Sequence, residues 1–545
     1  MMGFIAYRLI PRKFELGCFP FIPQNRNMVA PSQGQEIIFE GIKRHNPVYI
    51  TPYLLGGLGQ SNELNDDGTA YDRTDEFVYE AGLDVKYGLT NNLTLDVTIN
   101  PDYAQVEADD QMINLTRYSL FFPEKRLFFQ ERQGNFEFRF DDDDRLFYSR
   151  RIGIHEGERV RIYGGARVVG RAGPWDIGFL NMQTQKFEDL PSENFNVMRL
   201  RRQVINQYSY IGGMVTSRIG NRDSWNTAYG IDGIFRLFGD DYLTLKWAQS
   251  FENDNNNQVV ALEPSKIYVN WTRRSDKGPG YNLSYSRSGD DFNPGIGYER
   301  RDNYTRFGNR VQYGWFPGEE SKLQNHQVFI EGITFIRNMD GKIESSDIGP
   351  GWAFSTRPGS SGSISFRQFK ENVTESFSFS DDVDVPIGRY TFYGIVGNFF
   401  SPRGNLYNIS TSIKAGSFYI GRRFTINIRP TANISQHFQL EGMYELNAVE
   451  FPDRNQKFIG HIWQLKISAF LNSKFPLVSL VQYNSANDKI ITNIRFRYNP
   501  REGNDLYIVY DEGLNTDRQR EIPVLPRTSI RTILVKYSYT FNIGG

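Results

Sequence analysis

The stretch RTILVKYSYTF, residues 531–541, alternates apolar and polar side chains over most of its length. Successive side chains of a strand point to opposite faces, so the pattern predicts a strand with one apolar and one polar face. The apolar face carries Ile533, Val535, Tyr537, Tyr539 and Phe541, and the polar face carries Lys536, Ser538 and Thr540. Strands of about 9–11 residues with this alternation are typical of β-barrels that span a membrane.

The same period of two recurs upstream along the whole chain. Roughly 20–24 strands of this kind can be counted, and helical periodicity is nearly absent. The sequence therefore predicts an all-β fold, namely a large transmembrane antiparallel β-barrel of about 20–24 strands. The clearest apolar faces are Leu93, Leu95, Val97 and Ile99; Phe424, Ile426 and Ile428; Trp463, Leu465 and Ile467; and Ile490, Ile494 and Phe496.

Basic residues lie mid-strand on the polar faces of these predicted strands. In a membrane barrel they would line a hydrated lumen, and the closed ladder would leave no unpaired strand edge in lipid. A soluble propeller or large sandwich is the alternative, although we find no repeat of about 40–50 residues that would indicate propeller blades. The basic residues in question are Arg423, Arg429, Lys466, Arg495 and Arg497.

The segments between strands are of two kinds. Short turns at one end and long polar loops at the other are typical of outer-membrane barrels. The predicted short turns are residues 238–241, 401–405 and 486–488. The predicted long loops are residues 59–75, 253–264, 316–325, 371–388 and 511–527.

Composition excludes several functional classes. The net charge is −1, so no basic field favours nucleic acid. The single cysteine, Cys18, excludes an internal disulfide framework, and the five histidines lack a metal-ligand spacing. No apolar run approaches the roughly 20 residues of a transmembrane helix. The N-terminal residues 1–14 do not form a convincing signal peptide, so we expect either a non-exported protein or a chain that lacks its original N-terminus.

A dense charged segment, residues 100–151, interrupts the strand series. Buried charges must be paired to be tolerated, so we interpret its acids and bases as mutual partners within a lumenal, plug-like insert, residues 101–144. The alternative for the acids is a calcium site, which their spacing fits poorly because a turn glycine is missing. The predicted charge network is Asp102, Glu107, Asp109, Asp110, Arg117, Glu124, Lys125, Arg126, Arg150 and Arg151.

Two further features of this segment allow two interpretations each. The run Asp141–Asp144 is either a divalent-cation site or, as we favour, a solvated turn flanked by Arg139 and Arg145. Four aromatics are either a ligand-stacking platform or a wedge that holds the segment against the barrel wall, and we favour the wedge. These aromatics are Phe121, Phe122, Phe128 and Phe129.

Blocks of the charged segment resemble the signature of a large bacterial outer-membrane β-barrel family of unknown function. The matching blocks are NPDY (100–103), QVEAD (105–109), NLTR (114–117), FFPEKR (121–126) and FYSRRIG (147–153). The terminal aromatic strand is similar to the insertion signal of such barrels, although residues 542–545 extend past it. The resemblance implies a location in the bacterial outer membrane.

Members of this family commonly carry the barrel behind a module that resembles carbohydrate-binding family 9 domains. That module is missing here, so residues 1–46 are interpreted as a lead-in from it and residues 47–545 as the barrel. The resemblance implies capture or passage of a solute, with a glycan as one candidate. A scaffold that anchors a periplasmic module or joins an envelope complex is the alternative, and a lumenal hydrolase is a third.

The expected partners are therefore outer-membrane lipid, a small solute or glycan, and envelope proteins, but not nucleic acid. No catalytic residue can be singled out, since GxSxG and a placed Ser-His-Asp set are both missing from the sequence. No cofactor is predicted, and calcium remains the one alternative.

Overall fold

The structure is a computed structural model that describes residues 2–10, 15–22, 34–38, 40, 46–101, 107–220, 224–253, 257–380, 382–402 and 404–544. The lead-in contains short strands where the sequence suggested only a linker. Met2–Phe4 pairs with Gln35–Ile37, and Ala6–Ile10 pairs with Glu15–Phe19, both antiparallel. These pairs are separate from the main sheet.

In the described part of the chain, 24 antiparallel strands form one closed barrel, within the predicted range of 20–24. Each strand pairs with its neighbours in sequence. In chain order they are β1 Val48–Leu64, β2 Tyr71–Thr90, β3 Leu93–Ile99, β4 Ile162–Ala172, β5 Trp175–Thr184, β6 Asn194–Gln203, β7 Tyr210–Ile219, β8 Trp225–Phe238, β9 Asp241–Glu252, β10 Ser265–Arg273, β11 Gly278–Ser288, β12 Tyr304–Trp315, β13 Leu323–Arg337, β14 Ile343–Thr356, β15 Ser361–Val373, β16 Gly388–Phe400, β17 Tyr407–Phe418, β18 Gly421–Ser435, β19 Phe438–Phe451, β20 Gln456–Phe470, β21 Pro476–Asn484, β22 Lys489–Arg501, β23 Asn504–Asn515 and β24 Thr528–Tyr539.

The barrel closes where β24 pairs with β1. The register runs from Ile530 opposite Ser61 to Ser538 opposite Tyr53, and the short strand Phe541–Ile543 extends the pairing along β1. Gly57 makes this seam possible, because a Cβ at that position would lie 2.2 Å from the Ile533 carbonyl oxygen. The terminal strand that was identified from its alternation is thus the strand that closes the barrel.

The two ends of the barrel differ in the length of their connections. Connections that follow even-numbered strands are short, such as 91–92, 239–240 and 436–437. The first residue of β1 and the last residue of β24 lie at this same end. Connections that follow odd-numbered strands include the long segments 100–161, 253–264, 289–303, 374–387 and 516–527. We call these the short-turn end and the long-loop end.

Several predicted connections need correction. Most of the predicted loop 59–75 belongs to β1 and β2, which leaves only residues 65–70 between them. The predicted short turn 486–488 lies at the long-loop end, and residues 316–322 form a connection at the short-turn end. The predicted length of a loop therefore did not always show at which end of the barrel the loop lies. One reason is that a strand can extend well past its clearly alternating part, which shortens the adjoining loop.

The outer face of the barrel is apolar. Ile99 and Phe77 on neighbouring strands are 55% and 67% exposed, and Trp463 on β20 is 53% exposed. Four exposed tryptophans lie in the parts of their strands next to the short-turn end, as in the aromatic girdles of membrane barrels. They are Trp175, Trp271, Trp315 and Trp352. The short turns, the start of β1 and the end of β24 all lie at one end of the barrel. Together with the apolar outer face, this arrangement is the architecture of an outer-membrane β-barrel.

The inner face is polar along only part of the wall. One buried apolar cluster joins Leu115 to side chains on β15–β17, β19 and β20, and on β4 to β9 the wall carries apolar side chains that form another buried cluster with residues 129–152. The wall members of this cluster are Ile162, Val169, Leu180, Met182, Phe195, Val197, Met214, Ala228 and Ala248. Among the described residues, no helix is long and apolar enough to cross a membrane.

Candidate functional site

Residues 107–153, here called the central segment, contact the inner face of strands on many sides of the barrel. Glu107 pairs with Lys466 on β20, while Asp144 pairs with Lys266 on β10. Between these anchors, Arg117 pairs with Glu344 on β14. The segment contains little regular structure apart from the helical turn Leu127–Gln130. Its position is therefore set by side-chain contacts with the wall.

Glu107 is the first anchor of the central segment. Its carboxylate lies 2.9 Å from Lys466 Nζ and 3.0 Å from Arg495 Nη2. Burial alone would raise its pKa, but the hydrogen bond from Lys466 and the charges of Lys466 and Arg495 hold the pKa of Glu107 below its usual value. Four residues later, the backbone N–H of Gln111 donates to Oε1 of Gln482 on β21 at 2.9 Å. These contacts fix this part of the segment to β20–β22.

Asp109 and Asp110 form a second group with two bases from the same segment. Arg150 donates to both oxygens of Asp109, and Lys125 Nζ lies 3.9 Å from Asp109 and 4.0 Å from Asp110. Lys125 also donates to the Ala108 carbonyl at 2.6 Å. This group ties residues 108–110 to the turn around Lys125, while the Asp109 carbonyl also accepts from Gln482 on β21 at 3.0 Å.

Glu124 and Arg126 form a buried pair within the segment. Arg126 Nη2 lies 2.7 Å from Glu124 Oε2, and Ser149 Oγ donates to the same oxygen at 2.6 Å. Arg126 also donates to the carbonyls of Ser149 and Ile152 at 2.7 Å. Burial alone would raise the pKa of Glu124, but the hydrogen bonds and charge of Arg126 hold it below its usual value.

Arg117 contacts acids of the wall that the sequence did not single out. Its Nη2 lies 2.9 Å from Glu344 and 3.6 Å from Glu371, which lie on the adjacent strands β14 and β15. Its Nε donates to the Tyr118 hydroxyl at 3.0 Å. Burial by itself would lower the pKa of Arg117, but Tyr118 and the two glutamates raise it.

The nine described residues of the predicted network therefore form separate small groups. Arg151 lies apart from them and donates to the Gly297 carbonyl at 3.1 Å. Asp102 lies outside the described residues. The wall partners Lys466 and Arg495 had been recognised in the sequence as inward-facing bases, but nothing local indicated that they would contact Glu107, more than 350 residues away.

The run Asp141–Asp144 forms a turn, but only its middle residues are open to solvent, which corrects our interpretation of a solvated turn. Asp141 and Asp144 are each 6% exposed. Lys266 Nζ lies 2.6 Å from Asp144 and 3.0 Å from Glu299, and Arg306 Nη1 lies 3.3 Å from Asp141. Asp143 pairs instead with Arg300, not with its sequence neighbour Arg145. Bases on the wall and on the 289–303 connection neutralise this run.

The aromatics of the segment pack on one another and on bases. Phe121 contacts Tyr148 and Tyr298 at ring-centroid distances of 5.1 and 5.3 Å. Phe128 and Phe129 lie edge to face, and the guanidinium of Arg167 from β4 lies 4.6 Å from the Phe128 ring. These faces are used for internal packing, as in the wedge interpretation, rather than left open for a ligand.

The interior is not filled where the central segment faces β15–β20. Three adjoining cavities of about 470, 720 and 550 Å³ lie there, and we call them together the gap. The first and second share lining residues Thr116, Lys414 and Arg423, and the second and third share Ser410 and Arg429. The gap thus extends from near Tyr419 at the long-loop end to Asn433 near the short-turn end.

Small polar side chains line the middle of the gap. Ser412 on β17 is in register with Asn398 on β16 and with Asn427 on β18, so three hydrogen-bonding side chains lie at one level of the wall. Residues 112–116, Ser119 and Leu120 of the central segment form the opposite side. Sequence alternation identified the strands, but the gap depends on where the segment stops contacting the wall.

A metal site finds no support in side-chain placement. Among the described residues, no three His, Cys, Asp or Glu side chains are grouped so that they could hold a metal ion. Asp109 and Asp110 are instead close to Lys125 and Arg150, and Asp144 to Lys266. Of the acids that raised the calcium alternative, the described ones, Glu107, Asp109 and Asp110, have basic partners.

Residues 50–168 match a family described as a domain of unknown function, DUF5916. This range includes β1–β3, the central segment and the beginning of β4. No curated protein matches the sequence.

Three solved structures that are similar to this chain are the following. The siderophore receptor PirA from Pseudomonas aeruginosa is 10% identical, with a TM-score of 0.42 and coverage of 90% of this chain and 80% of that one. A mutant of the ferric enterobactin receptor PfeA from the same organism is 11% identical, with a TM-score of 0.39 and the same coverage. OccAB4 from Acinetobacter baumannii is 9% identical, with a TM-score of 0.30, 92% coverage of this chain and 99% of that one.

Proposed function

We propose that this protein is an integral β-barrel of the bacterial outer membrane that captures a small solute or lets it pass. In this proposal residues 101–144 form an insert in the lumen. The observation that carries the proposal is the gap beside the central segment, because it extends along the wall between the two ends of the barrel. A barrel with 24 strands encloses a lumen that must be filled, gated or left open.

The wall supports the membrane part of the proposal. Its outer face is apolar, and four exposed tryptophans lie near the short-turn end. A closed ladder leaves no backbone group unpaired in lipid. By analogy with outer-membrane barrels, the short-turn end would face the periplasm and the long loops the exterior. Retention in the membrane after a carbonate wash, with heat-modifiable migration on gels, is the expected result, and a soluble protein after lysis would contradict it.

The lining of the gap supports the solute part. Ser410, Ser412, Asn398 and Asn427 supply donors and acceptors for a hydroxyl-rich solute, and a glycan is one class that fits. On the opposite side of the barrel the apolar cluster on β4–β9 holds the central segment in place. Passage would therefore proceed beside the segment, without its removal.

Planar-bilayer recording with the full chain tests this proposal. We expect ion conductance that falls at least about twofold in Ser412→Trp, because the larger ring would narrow the gap between Asn398 and Asn427. Ile413→Trp is the matched control. Ile413 is 37% exposed and lies on the outer face of β17, whereas Ser412 faces the gap. Conductance that is missing in the unaltered protein, or equal in Ser412→Trp, would refute passage through the gap.

A scaffold role is the second candidate. The lead-in exposes apolar side chains, with Phe21 87% and Ile38 69% exposed. Such exposed apolar groups mark contact surfaces when they form a patch. Co-purification of a stable envelope partner in mild detergent, lost when residues 1–46 are removed, would support this role. Unchanged co-purification after that removal would contradict it.

A further inference from the structure

Three basic side chains line the gap at successive levels. Lys414 lies on β17, and Arg423 and Arg429 lie six residues apart on β18, which corresponds to about 20 Å along a strand. Lys414 is in register with Thr425, between the two arginines. All three border the second cavity, and Arg429 also borders the third. The bases therefore follow the length of the gap.

These bases contact neutral partners. Arg423 Nε donates to Thr425 Oγ1 at 2.9 Å, and Arg429 Nε donates to Asn427 Oδ1 at 3.1 Å. The Arg423 guanidinium also lies 5.1 Å from the Phe418 ring. Among the described residues, no carboxylate forms an ion pair with Lys414, Arg423 or Arg429. Their positive charge is therefore not neutralised by a contacting acid.

Most other bases of the described inner face are paired with acids, although Lys246 on β9 donates to the Arg139 carbonyl instead. Lys466 and Arg495 share Glu107, and Arg367 lies 2.8 Å from Glu331 and 2.6 Å from Asp347. Lys266 is completely buried between two carboxylates. The unpaired bases are thus concentrated where the interior is open, which is also where a mobile anion could reach them.

The acids that line the gap do not cancel this charge. In the first cavity each acid has a basic partner: Asp141 and Asp142 pair with Arg306, Asp144 with Lys266, Glu331 and Asp347 with Arg367, and Glu371 with Arg117.

In the second cavity Glu445 is the one carboxylate among the described lining residues, and it stands against three bases without an ion-pair partner. Both oxygens of Glu445 accept hydrogen bonds, at 2.8 Å from Asn427 and 2.7 Å from Asn447. Glu441 lines only the third cavity, near the short-turn end. The other bases that line the gap are each paired with an acid, namely Arg300 with Asp143, Arg301 with Glu344 and Arg367 with Asp347. A cleft with low-dielectric walls and an excess of one charge raises the local concentration of the opposite ion.

We infer that the gap selects anionic solutes, with Lys414, Arg423 and Arg429 as successive contacts for a carboxylate or phosphate group. This inference rests on the proposed function and specifies the charge of the solute. Guanidinium groups suit such ligands because their planar donors match the two oxygens of a carboxylate or phosphate. Several weak contacts in series allow a solute to enter and to leave.

The test is the chloride-to-potassium permeability ratio of the full chain in a planar bilayer with a potassium chloride gradient. We expect a ratio of at least about three for the unaltered protein, because the cleft concentrates anions. Lys414→Gln, Arg423→Gln and Arg429→Gln combined should lower the ratio to about one or below. The matched control combines Arg73→Gln, Lys342→Gln and Arg422→Gln, which remove equal charge from exposed side chains at the long-loop end.

The outcomes separate this inference from the proposed function. Conductance with a ratio of one or less in the unaltered protein overturns anion selection but leaves passage standing. A missing conductance overturns both. An equal loss of selectivity in the control triple would assign the effect to surface charge and overturn the inference. If the combined variant lacks heat-modifiable migration and has therefore not folded, the single variant Arg429→Gln is measured instead. An unchanged permeability ratio in that variant overturns the inference.

Discussion

Lys266 Nζ of β10 lies 2.6 Å from Asp144 Oδ2 of the central segment, and the lysine side chain is completely buried. Glu299 and the Tyr304 hydroxyl complete the surroundings of the ammonium group, at 3.0 and 2.9 Å. This pair joins the segment to the wall at the edge of the apolar cluster. The contact is therefore a direct probe of how firmly the segment is held.

Lys266→Met should destabilise the protein by about 3–5 kcal/mol, because it leaves Asp144 buried without its cation. The measurement is the denaturant concentration at which the heat-modifiable gel form is lost. Lys342→Met is the control, since that lysine is 53% exposed in a connection at the long-loop end. Equal midpoints for the two variants would contradict the structural role of the pair.

Glu299 gives this contact a pH dependence. Burial raises the pKa of Glu299 to about 8, although the nearby Lys266 acts in the opposite direction. A carboxyl with a raised folded-state pKa contributes stability that is complete below its unfolded value, near 4.5, and lost as the pH rises to about 8. We expect stability to decline over that window, and Glu299→Gln to remove most of the decline. A variant with the same pH profile as the unaltered protein would refute this.

Gly212 of β7 provides room for the buried pair between Arg199 and Asp232, which spans the neighbouring strands. Both oxygens of Asp232 accept from Arg199 at 2.7 Å, and a Cβ at Gly212 would lie 2.7 Å from Arg199 Nη1. Gly212→Ala should cost about 1–3 kcal/mol, since the pair must shift. Gly213→Ala is the control, because its Cβ would meet nothing closer than 3.6 Å. Equal denaturation midpoints would contradict the prediction.

Gly57 tests closure of the barrel in the same way. A Cβ there would lie 2.2 Å from the Ile533 carbonyl oxygen of β24, and a backbone atom cannot move aside as a side chain can. Gly57→Ala should therefore weaken the seam and reduce the folded, heat-modifiable fraction by at least about half. Gly56→Ala should leave it unchanged, because no atom lies within 4 Å of that Cβ. Full folding of Gly57→Ala would argue against this register.

Alternation predicted the wall well because it is a local property. Leu93, Val97 and Ile99 were expected opposite Asp96 and Thr98, and the barrel strand β3 has this arrangement. Alternation did not predict the apolar inner face of β4–β9, where Phe195 and Val197 point inward against the central segment. Alternation gives the two faces of a strand but not what each will contact.

The partners of the charged segment were beyond prediction for a different reason. A run such as Asp141–Asp144 has the composition of a solvated turn, and its burial depends on Lys266 and Arg306, which lie more than 120 residues away. The contact of Glu107 with Lys466 spans an even longer separation. Non-local ion pairs leave no periodic pattern in the sequence, so only the closed barrel reveals them.

The position of the central segment between β3 and β4 has a consequence for how the barrel is made. The segment leaves the ribosome before 21 of the 24 strands, yet Glu107 needs bases on β20 and β22. The ion pairs of Glu107 can therefore form only after β20 and β22 have joined the wall. The final anchoring of the segment and the joining of β24 to β1 would then be late and nearly simultaneous steps of biogenesis.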